Sequence, residues 1–546
     1  NGEGDPGTPG EPAPDGEETE EPTVPATTVP AVRSSTIPLA SIVVAVVVLV
    51  LGGVGLGRAL ARPKRRAVGP ATPPPPVGPD APSPPREPSA PPPPVGPAAA
   101  PAPVEATERS AAQPPVESVA AAGPRRIDRW TLELLLEVGR ALIDSGDAVG
   151  NVHEVLRRIA TVNGAPDIGS IILPTALIVS IPQGDSVETE VAPAGQERLR
   201  LDQVEEVERV VTAAEEGRLT PAEGIAAIAA AREMPPPSSN VARSWGYVLF
   251  TLGLAMILRA GLLELLVAAG LGVAVGVLQL RTERLRASYR VFLPVVAAFG
   301  VATVVFGLGR FLGDLSLFPP IVAPLVAFLP GAVLTTAVFE LSTGHLLSGS
   351  SRLVAGMLQL VLLGLGIVAG AELLGIPAAQ VSGVAGGALG VLQPWLGVAI
   401  FGVGVVVFHG VRRASLPWIL LVLFLAYAGQ VLGGLFFGAT LSAFFGALVM
   451  TPVTVFAAAQ PSGPPALVSF LPGFWLLVPG ALGLAGITSI LDEDRVEGIA
   501  SLTTMGASMI GIALGVLLGM TVGAELVARL TRRTGPARRP LSHRAK

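Results

Sequence analysis

Six ionisable residues stand out in the most apolar part of this sequence: Arg310, Asp314, Glu340, His345, Arg352 and Glu372. A charge at the centre of a membrane helix costs about 2.5–3.5 kcal/mol on insertion scales, so an ionisable residue kept at that depth marks an ion path or a proton relay. Carrying a proton needs a titratable group reachable from both sides of the membrane. Glu340 is the first choice, about three turns after Pro330-Gly331 and close to His345 and Arg352. Arg310, Asp314, His345 and Arg352 complete the proton-coupling candidates. All fall toward the ends of the expected spans, where a long side chain can also simply reach the surface.

The elements that would position these groups carry a second signal. Phe328-Leu329-Pro330-Gly331 interrupts an apolar stretch, and the pattern recurs as Phe470-Leu471-Pro472-Gly473 and Val478-Pro479-Gly480. A break inside a membrane helix exposes backbone donors and acceptors that lipid cannot satisfy, so it survives only against protein or a wet cavity. Broken helices of this kind point to a transporter.

Composition agrees. Half of the 546 residues are hydrophobic, 14% are charged, and Gly (65) and Pro (53) are both abundant. A soluble chain of this length could not bury so much apolar surface, which places the excess against lipid. The absence of cysteine removes disulfides and thiolate metal sites. The net charge of -5 conceals segregation: acidic residues crowd the first 21 positions and arginines cluster at helix ends.

Seven segments follow. Residues 1–36 read as a disordered acidic segment outside the membrane, and 37–57 as a transmembrane helix followed by the basic cluster Arg58 to Arg66. Residues 58–125 form a Pro/Ala-rich linker with Pro-Pro-Pro-Pro-Val-Gly-Pro at 73–79 and 91–97, a polyproline II spacer. Residues 126–240 read as a small α+β cytoplasmic domain. Leu132, Leu135, Leu136 and Val138 keep helical spacing, Val152, Val155 and Ile159 begin a second helix, and three short strands start at Ile171, Ala176 and Val187. Residues 241–375 and 376–527 form two five-helix membrane units, and 528–546 a basic cytoplasmic tail.

Ten core spans are expected near 245–261, 263–280, 291–309, 316–338, 353–373, 384–408, 415–432, 434–457, 467–490 and 498–523. Basic clusters after the second, sixth and tenth spans lie on the side that carries the α+β domain, while Asp492, Glu493 and Asp494 lie on the other. The positive-inside rule then places the N-terminus outside and the domain and C-terminus in the cytoplasm; the expected location is the cytoplasmic (plasma) membrane.

An offset of 149 residues superposes Pro330-Gly331-Ala332 on Pro479-Gly480-Ala481, Gly349 on Gly498, Leu353 on Leu502, Gly366 on Gly515 and Gly370 on Gly519. Five spans per unit is an odd number, so the second unit would be inverted. The fold class is therefore an α-helical integral membrane protein, with ten core helices in a 5+5 inverted repeat, one N-terminal helix and a small α+β domain. Gly511, Gly515, Gly519 and Gly523 form a small-residue face suited to close helix contact, within the fold or between copies in a homo-oligomer.

Three motifs resemble the threonine/serine exporter family. Leu142-Ile143-Asp144-Ser145-Gly146-Asp147-Ala148 running into Val152-His153-Glu154-Val155-Leu156 is similar to the family's opening signature. Pro324 to Gly331 with Ser348 to Leu353 is similar to the end of its first conserved unit, and Phe470 to Gly483 to the most recognisable stretch of its second. The resemblance covers about 127–525. It implies a ten-span exporter of small hydroxylated amino acids driven by the proton motive force, with dicarboxylate export known among relatives. Such a zwitterion needs donors for its carboxylate, acceptors for its ammonium and a hydroxyl partner. Half-helices meeting at Pro330, Gly331, Pro479 and Gly480 would offer the first two, and Thr335, Thr336 and Gln359 the third.

The partners expected are the amino acid, protons and membrane lipid, without nucleic acid. No P-loop and no His-Glu-x-x-His metal pair occurs, so neither an ATP-driven pump nor a cofactor is expected. Ser145, Asp147, His153 and Glu154 would invite a hydrolase reading of the α+β domain, but nothing resembles a nucleophile elbow. A channel would differ by moving solute without regard to a proton gradient.

Overall fold

The computed structural model describes residues 129–183, 186–283, 287–312, 315–376, 389–460, 462–477, 479–491 and 495–534, together with positions 2, 44, 47 and 48. Segments 1–36 and 58–125 therefore lie almost wholly outside the described residues, as does most of 37–57. Val44 and Val48 pack beside Trp395, Ala428 and Val431.

The α+β domain opens with α1 (Arg129–Asp144) and α2 (Val149–Val162). Leu132, Leu135, Val138 and Leu142 recur on one stripe of α1 and are buried against Val152, Leu156 and Ile159 of α2. β1 (Gly169–Leu173), β2 (Ala176–Gln183) and β3 (Ser186–Pro193) follow as an antiparallel meander, with Leu173 opposite Ala176 and Gln183 opposite Ser186. Alternation along β2 turns Leu177, Val179 and Ile181 inward, and Leu177 reaches Gly139 of α1. α3 (Leu201–Glu215) and α4 (Pro221–Glu233) close the layer. Thr220 starts α4 with a capping box, its hydroxyl accepting from Glu223 N while the Glu223 carboxylate accepts from Thr220 N at 2.9 Å.

The apolar part is a helical bundle: α5 (Asn240–Ile257), α6 (Leu262–Thr282), α7 (Leu293–Leu312), α8 (Phe318–Val322) continued by a 3-10 turn to Phe328, α9 (Gly331–Ser342), α10 (Leu346–Leu373), α11 (Gln393–Phe408), α12 (Leu416–Phe437), α13 (Ala439–Ala458), α14 (Ala466–Leu477), α15 (Pro479–Leu491) and α16 (Arg495–Thr534). Among the described residues eight helices are long and apolar enough to cross a membrane, or nine when the bent pair Phe318–Phe328 and Gly331–Ser342 is taken as one span. α5 is not among the eight, because Asn240, Arg243 and Ser244 dilute its first turn. It nevertheless packs lengthwise on α11.

Glycines set the closest helix approaches. A methyl group at Gly253 would lie 2.3 Å from Phe401 N, and one at Gly404 2.2 Å from Phe250 N. Gly246 against Phe408 and Gly397 against Ile257 extend the seam, with residue numbers rising on one helix as they fall on the other, so α5 and α11 cross antiparallel. Gly366 and Gly370 of α10 meet Ala298 and Ala302 of α7, which run parallel to them. Gly515 and Gly519 of α16 meet Ala447 and Thr451 of α13 in the same way. Gly349 meets the Ala337 carbonyl and Leu341, and Gly498 meets the Gly486 carbonyl and Ile490. In all three cases both the glycine and its partners in the second half lie 149 residues beyond those in the first. The small-residue face of α16 thus packs inside the fold, with Gly511 and Gly523 also seated on α13.

The proline-glycine pairs behave differently from one another. At Pro330 the chain leaves the helix through an extended Leu329 (ψ 123°), and the two segments are inclined at 62°. The expected break at Pro472-Gly473 is absent, since Pro472 lies within α14 and removes only one intrahelical bond, while Gly473 is filled by the Met450 sulfur. The expected break at Val478-Pro479-Gly480 falls on Val478, which lies outside the described residues, between α14 and α15. Ala466–Leu491 forms one candidate span, and no second bent pair occurs among the described residues.

Candidate functional site

Interrupting a helix orphans the carbonyls before the break and the N–H groups after it. Gln359 of α10 donates from Nε2 to the Phe328 carbonyl at 2.5 Å, and the Tyr247 hydroxyl donates to the Pro324 carbonyl at 2.7 Å. Both carbonyls thus have donors from neighbouring helices. Gln359, expected as a substrate partner, is placed as a donor that stabilises the break. Past the break the first intrahelical bond is Leu334 N to Pro330 O at 2.9 Å, so the amides of Gly331, Ala332 and Val333 point out of the helix end without a partner one turn back. Pro330 and Gly331 are buried, and Thr336 is half-buried. Thr335 is 2% exposed, and its hydroxyl has no partner among the described residues.

The other end of α9 holds a charged cluster. Glu340 is fully buried; Oε1 accepts from Val149 N at 3.1 Å and Oε2 from the Ser348 hydroxyl at 2.6 Å. Arg352 Nε lies 3.3 Å from Oε2, a charge contact without aligned hydrogen-bond geometry, while Nη2 donates to the Asp147 carbonyl at 2.9 Å. Val149 is the first residue of α2, so the carboxylate of a bundle helix caps the N-terminus of a domain helix. Asp147 accepts from Ala148 N at 2.8 Å and from Asn151 Nδ2 at 2.5 Å. The His345 ring lies over Gly150, where a side-chain carbon would come within 2.8 Å of it, and Nδ1 is 3.1 Å from the Thr343 hydroxyl.

Burial pushes the Asp147 carboxyl up to about 6, against the opposing pull of Asn151, the Ala148 amide and Arg352; Glu340 adds to the rise. Burial likewise pushes Glu208 of α3 up to about 7, helped by the charges of Asp147 and Glu215. The cluster therefore favours holding protons outside the membrane-spanning segments.

A second contact fastens the domain to the later helices. Glu205 of α3 lies 3.7 Å from Arg412 Nε, Leu201 and Val204 join the apolar core of the bundle, and α3 touches α14. The domain is thus seated on both parts of the membrane region.

The structure brings together Glu340, His345 and Arg352 as the spacing predicts, and removes Glu340 from the surface entirely. It does not gather the rest. Arg310 is exposed and donates to the Leu374 carbonyl at 3.1 Å, capping the end of α10. Asp314 lies outside the described residues, as do the side-chain surroundings of Pro479 and Gly480. Sequence reasoning missed Asp147 and Ser348 as cluster members, because their partners lie far away along the chain. It also missed Glu264, buried and accepting from Ser316 N at 3.0 Å, and Arg243, buried and bonded to the Phe408 carbonyl and Glu283. Their signal was visible as ionisable residues within apolar stretches. The residues of the hydrolase reading are dispersed: Ser145 bonds the Ala141 carbonyl, His153 meets Ser170 on the exposed face, and Glu154 pairs with Arg157.

Residues 133–374, from α1 to the end of α10, match the model of the family described as "Putative threonine/serine exporter". Two curated relatives are both named "Pheromone-regulated membrane protein 10", from Candida albicans strains WO-1 and SC5314 / ATCC MYA-2876. Each is 33% identical over 119 residues, covering 21% of this chain and 11% of the relative. The chain therefore spans about a tenth of the length of the curated relatives it matches. No solved structure matches. The motifs of the N-terminal domain, the break at Pro330 and the charged end of α9 all lie inside the matched stretch, so over residues 133–374 this multi-pass membrane protein is similar to the threonine/serine exporter family.

Proposed function

We propose that this chain is a secondary active exporter that moves small hydroxylated amino acids such as threonine and serine out of the cytoplasm, driven by the proton motive force. The observation that carries this reading is the break between α8 and α9. There, outward-pointing amides at Gly331 lie one turn from a buried hydroxyl, Thr335, that has no partner among the described residues. A helix N-terminus suits a carboxylate, and an unpaired buried hydroxyl suits a substrate hydroxyl. Thr336, on the next position of the same helix, is the second hydroxyl candidate.

Glu340 lies five residues beyond Thr335, about 7.5 Å along α9 at the helical rise. That proximity supports Glu340 as the proton carrier, with His345 and Arg352 tuning it. The paired glycine contacts 149 residues apart, together with the antiparallel crossing of α5 and α11, support the 5+5 inverted repeat. The arginine distribution supports a cytoplasmic location for the α+β domain and the C-terminus.

Counterflow in proteoliposomes tests the proposal, with labelled threonine, serine or succinate and with or without an imposed pH gradient. Uptake of threonine and serine that responds to the gradient is expected. Exchange of succinate alone assigns dicarboxylates instead, and gradient-independent flux removes the carrier reading. Glu340→Gln is expected to exchange substrate without accumulating it; accumulation against a gradient by that variant rules out Glu340 as the carrier.

A further inference from the structure

We propose that the α+β domain is a moving gate on its own side of the membrane: docked over the end of α9 it seals Glu340 from water, and it lifts from the bundle in each transport cycle so that Glu340 can exchange a proton there. The inference deepens the reading of Glu340 as proton carrier and rests on it for its place in transport, while the lifting itself is measurable without substrate.

A group that carries protons across a membrane has to meet water on each side in turn. Glu340 is 0% exposed, and both carboxylate oxygens are engaged. Oε1 accepts from the domain's Val149 N at 3.1 Å, and Oε2 accepts from the Ser348 hydroxyl at 2.6 Å with Arg352 Nε 3.3 Å away. Arg352 Nη2 also donates to the Asp147 carbonyl at 2.9 Å, so the turn leading into α2 is held at two points. The seat is close, since a methyl group at Gly150 would come within 2.8 Å of the His345 ring. The first turn of α2 thus covers the end of α9, and moving α2 away opens that side of Glu340 to water.

The reason for lifting lies in where else the domain sits. α3 rests on the second half of the bundle, with Glu205 3.7 Å from Arg412 Nε, Leu201 and Val204 in the apolar core, and Asp202 beside Gly410. The domain therefore bridges the two halves, and rocking of one half against the other, the motion of alternating access, pulls on one of its two seats. Both seats are incompletely satisfied. Glu205 Oε2 and Arg352 Nε are buried at them without a hydrogen-bond partner among the described residues, a cost of docking that water removes when the domain lifts. An interface with every polar atom paired would instead hold the domain down.

The sequence has no cysteine, so introduced thiols are the only targets of a thiol reagent. Gly150 and Thr343 flank the His345 ring: a methyl group at Gly150 would lie 3.6 Å from Nδ1, and the Thr343 hydroxyl is 3.1 Å from the same nitrogen. A short bifunctional methanethiosulfonate joining Gly150→Cys to Thr343→Cys, in the full chain in proteoliposomes, ties α2 to the end of α9. Redocking becomes intramolecular, so counterflow is expected to fall roughly tenfold or more and to return on reduction with dithiothreitol. The monofunctional reagent on the same chain should leave counterflow running. Val149 N, whose bond crosses the interface, reports lifting through hydrogen exchange in lipid nanodiscs, and its protection should rise roughly tenfold or more on cross-linking. A cross-linked chain that keeps the flux of its reduced form overturns the proposal, as does unchanged protection at Val149 or an equal loss of flux with the monofunctional reagent. If threonine, serine and succinate all fail to move before cross-linking, the exporter reading falls by itself, and protection at Val149 then decides whether the domain lifts.

Discussion

Replacing Gln359 by leucine tests whether the break in the α8–α9 span depends on a single side-chain donor. Gln359 Nε2 reaches the carbonyl of Phe328, a residue only 5% exposed, at 2.5 Å. Leucine fills a similar volume and donates nothing. The lost bond is worth about 0.5–1.5 kcal/mol net, and a buried carbonyl left without a partner costs about 1–3 kcal/mol, so Gln359→Leu is expected to destabilise the chain by about 2 kcal/mol. That corresponds to roughly a thirtyfold shift in the unfolding equilibrium. Equilibrium unfolding in mixed micelles provides the measurement, with Leu358→Ala as control on the adjacent, half-exposed position. Counterflow should also slow, because the carbonyl end of the break would seek another donor and move the amides of Gly331. A Gln359→Leu chain as stable as its parent and equally active would show that the Phe328 carbonyl finds water or another group, and that the break does not rely on α10.

Thr335→Val removes a buried hydroxyl that has no partner among the described residues, so stability should hold or rise by up to about 1 kcal/mol while threonine counterflow falls at least tenfold; unchanged transport would take Thr335 out of the substrate site. Gly366→Ala and Gly515→Ala should cost the same within about 1 kcal/mol, each about 1–3 kcal/mol before the helix preference of alanine is credited, because the added carbons would meet the Val295 carbonyl at 2.6 Å and the Phe444 carbonyl at 2.5 Å. A large asymmetry in unfolding measurements between these two variants would count against the inverted repeat.

Much of the fold was legible because its causes are local. The apolar stretches from α6 to α16 stand out by length, the three strands of the α+β domain by alternation and their turns, and α4 by Thr220 three residues before Glu223. Pro330 announced its break for a local reason also, since a proline displaces the residue before it into extended geometry. Pro472 carried the same local signal and did not break its helix, because one missing bond is tolerated when Met450 and neighbouring helices hold the segment in place. The glycine offset of 149 residues pointed to packing without saying against what, and the partner helices α7 and α13 emerge only from the assembled bundle.

What the sequence by itself determined is therefore the inventory: a membrane protein with an α+β domain, a kinked helix at Pro330, small-residue faces, and Glu340, His345 and Arg352 gathered within thirteen positions of one another. Tertiary structure alone decided what those groups meet. The bonds from Val149 to Glu340 and from Arg352 to Asp147 join residues 191 and 205 positions apart, and no local pattern encodes such pairs. Only docking of the domain on the end of α9 converts a surface glutamate of the sequence pattern into a sealed carboxylate, because burial and charge pairing are properties of the assembled interface rather than of either segment.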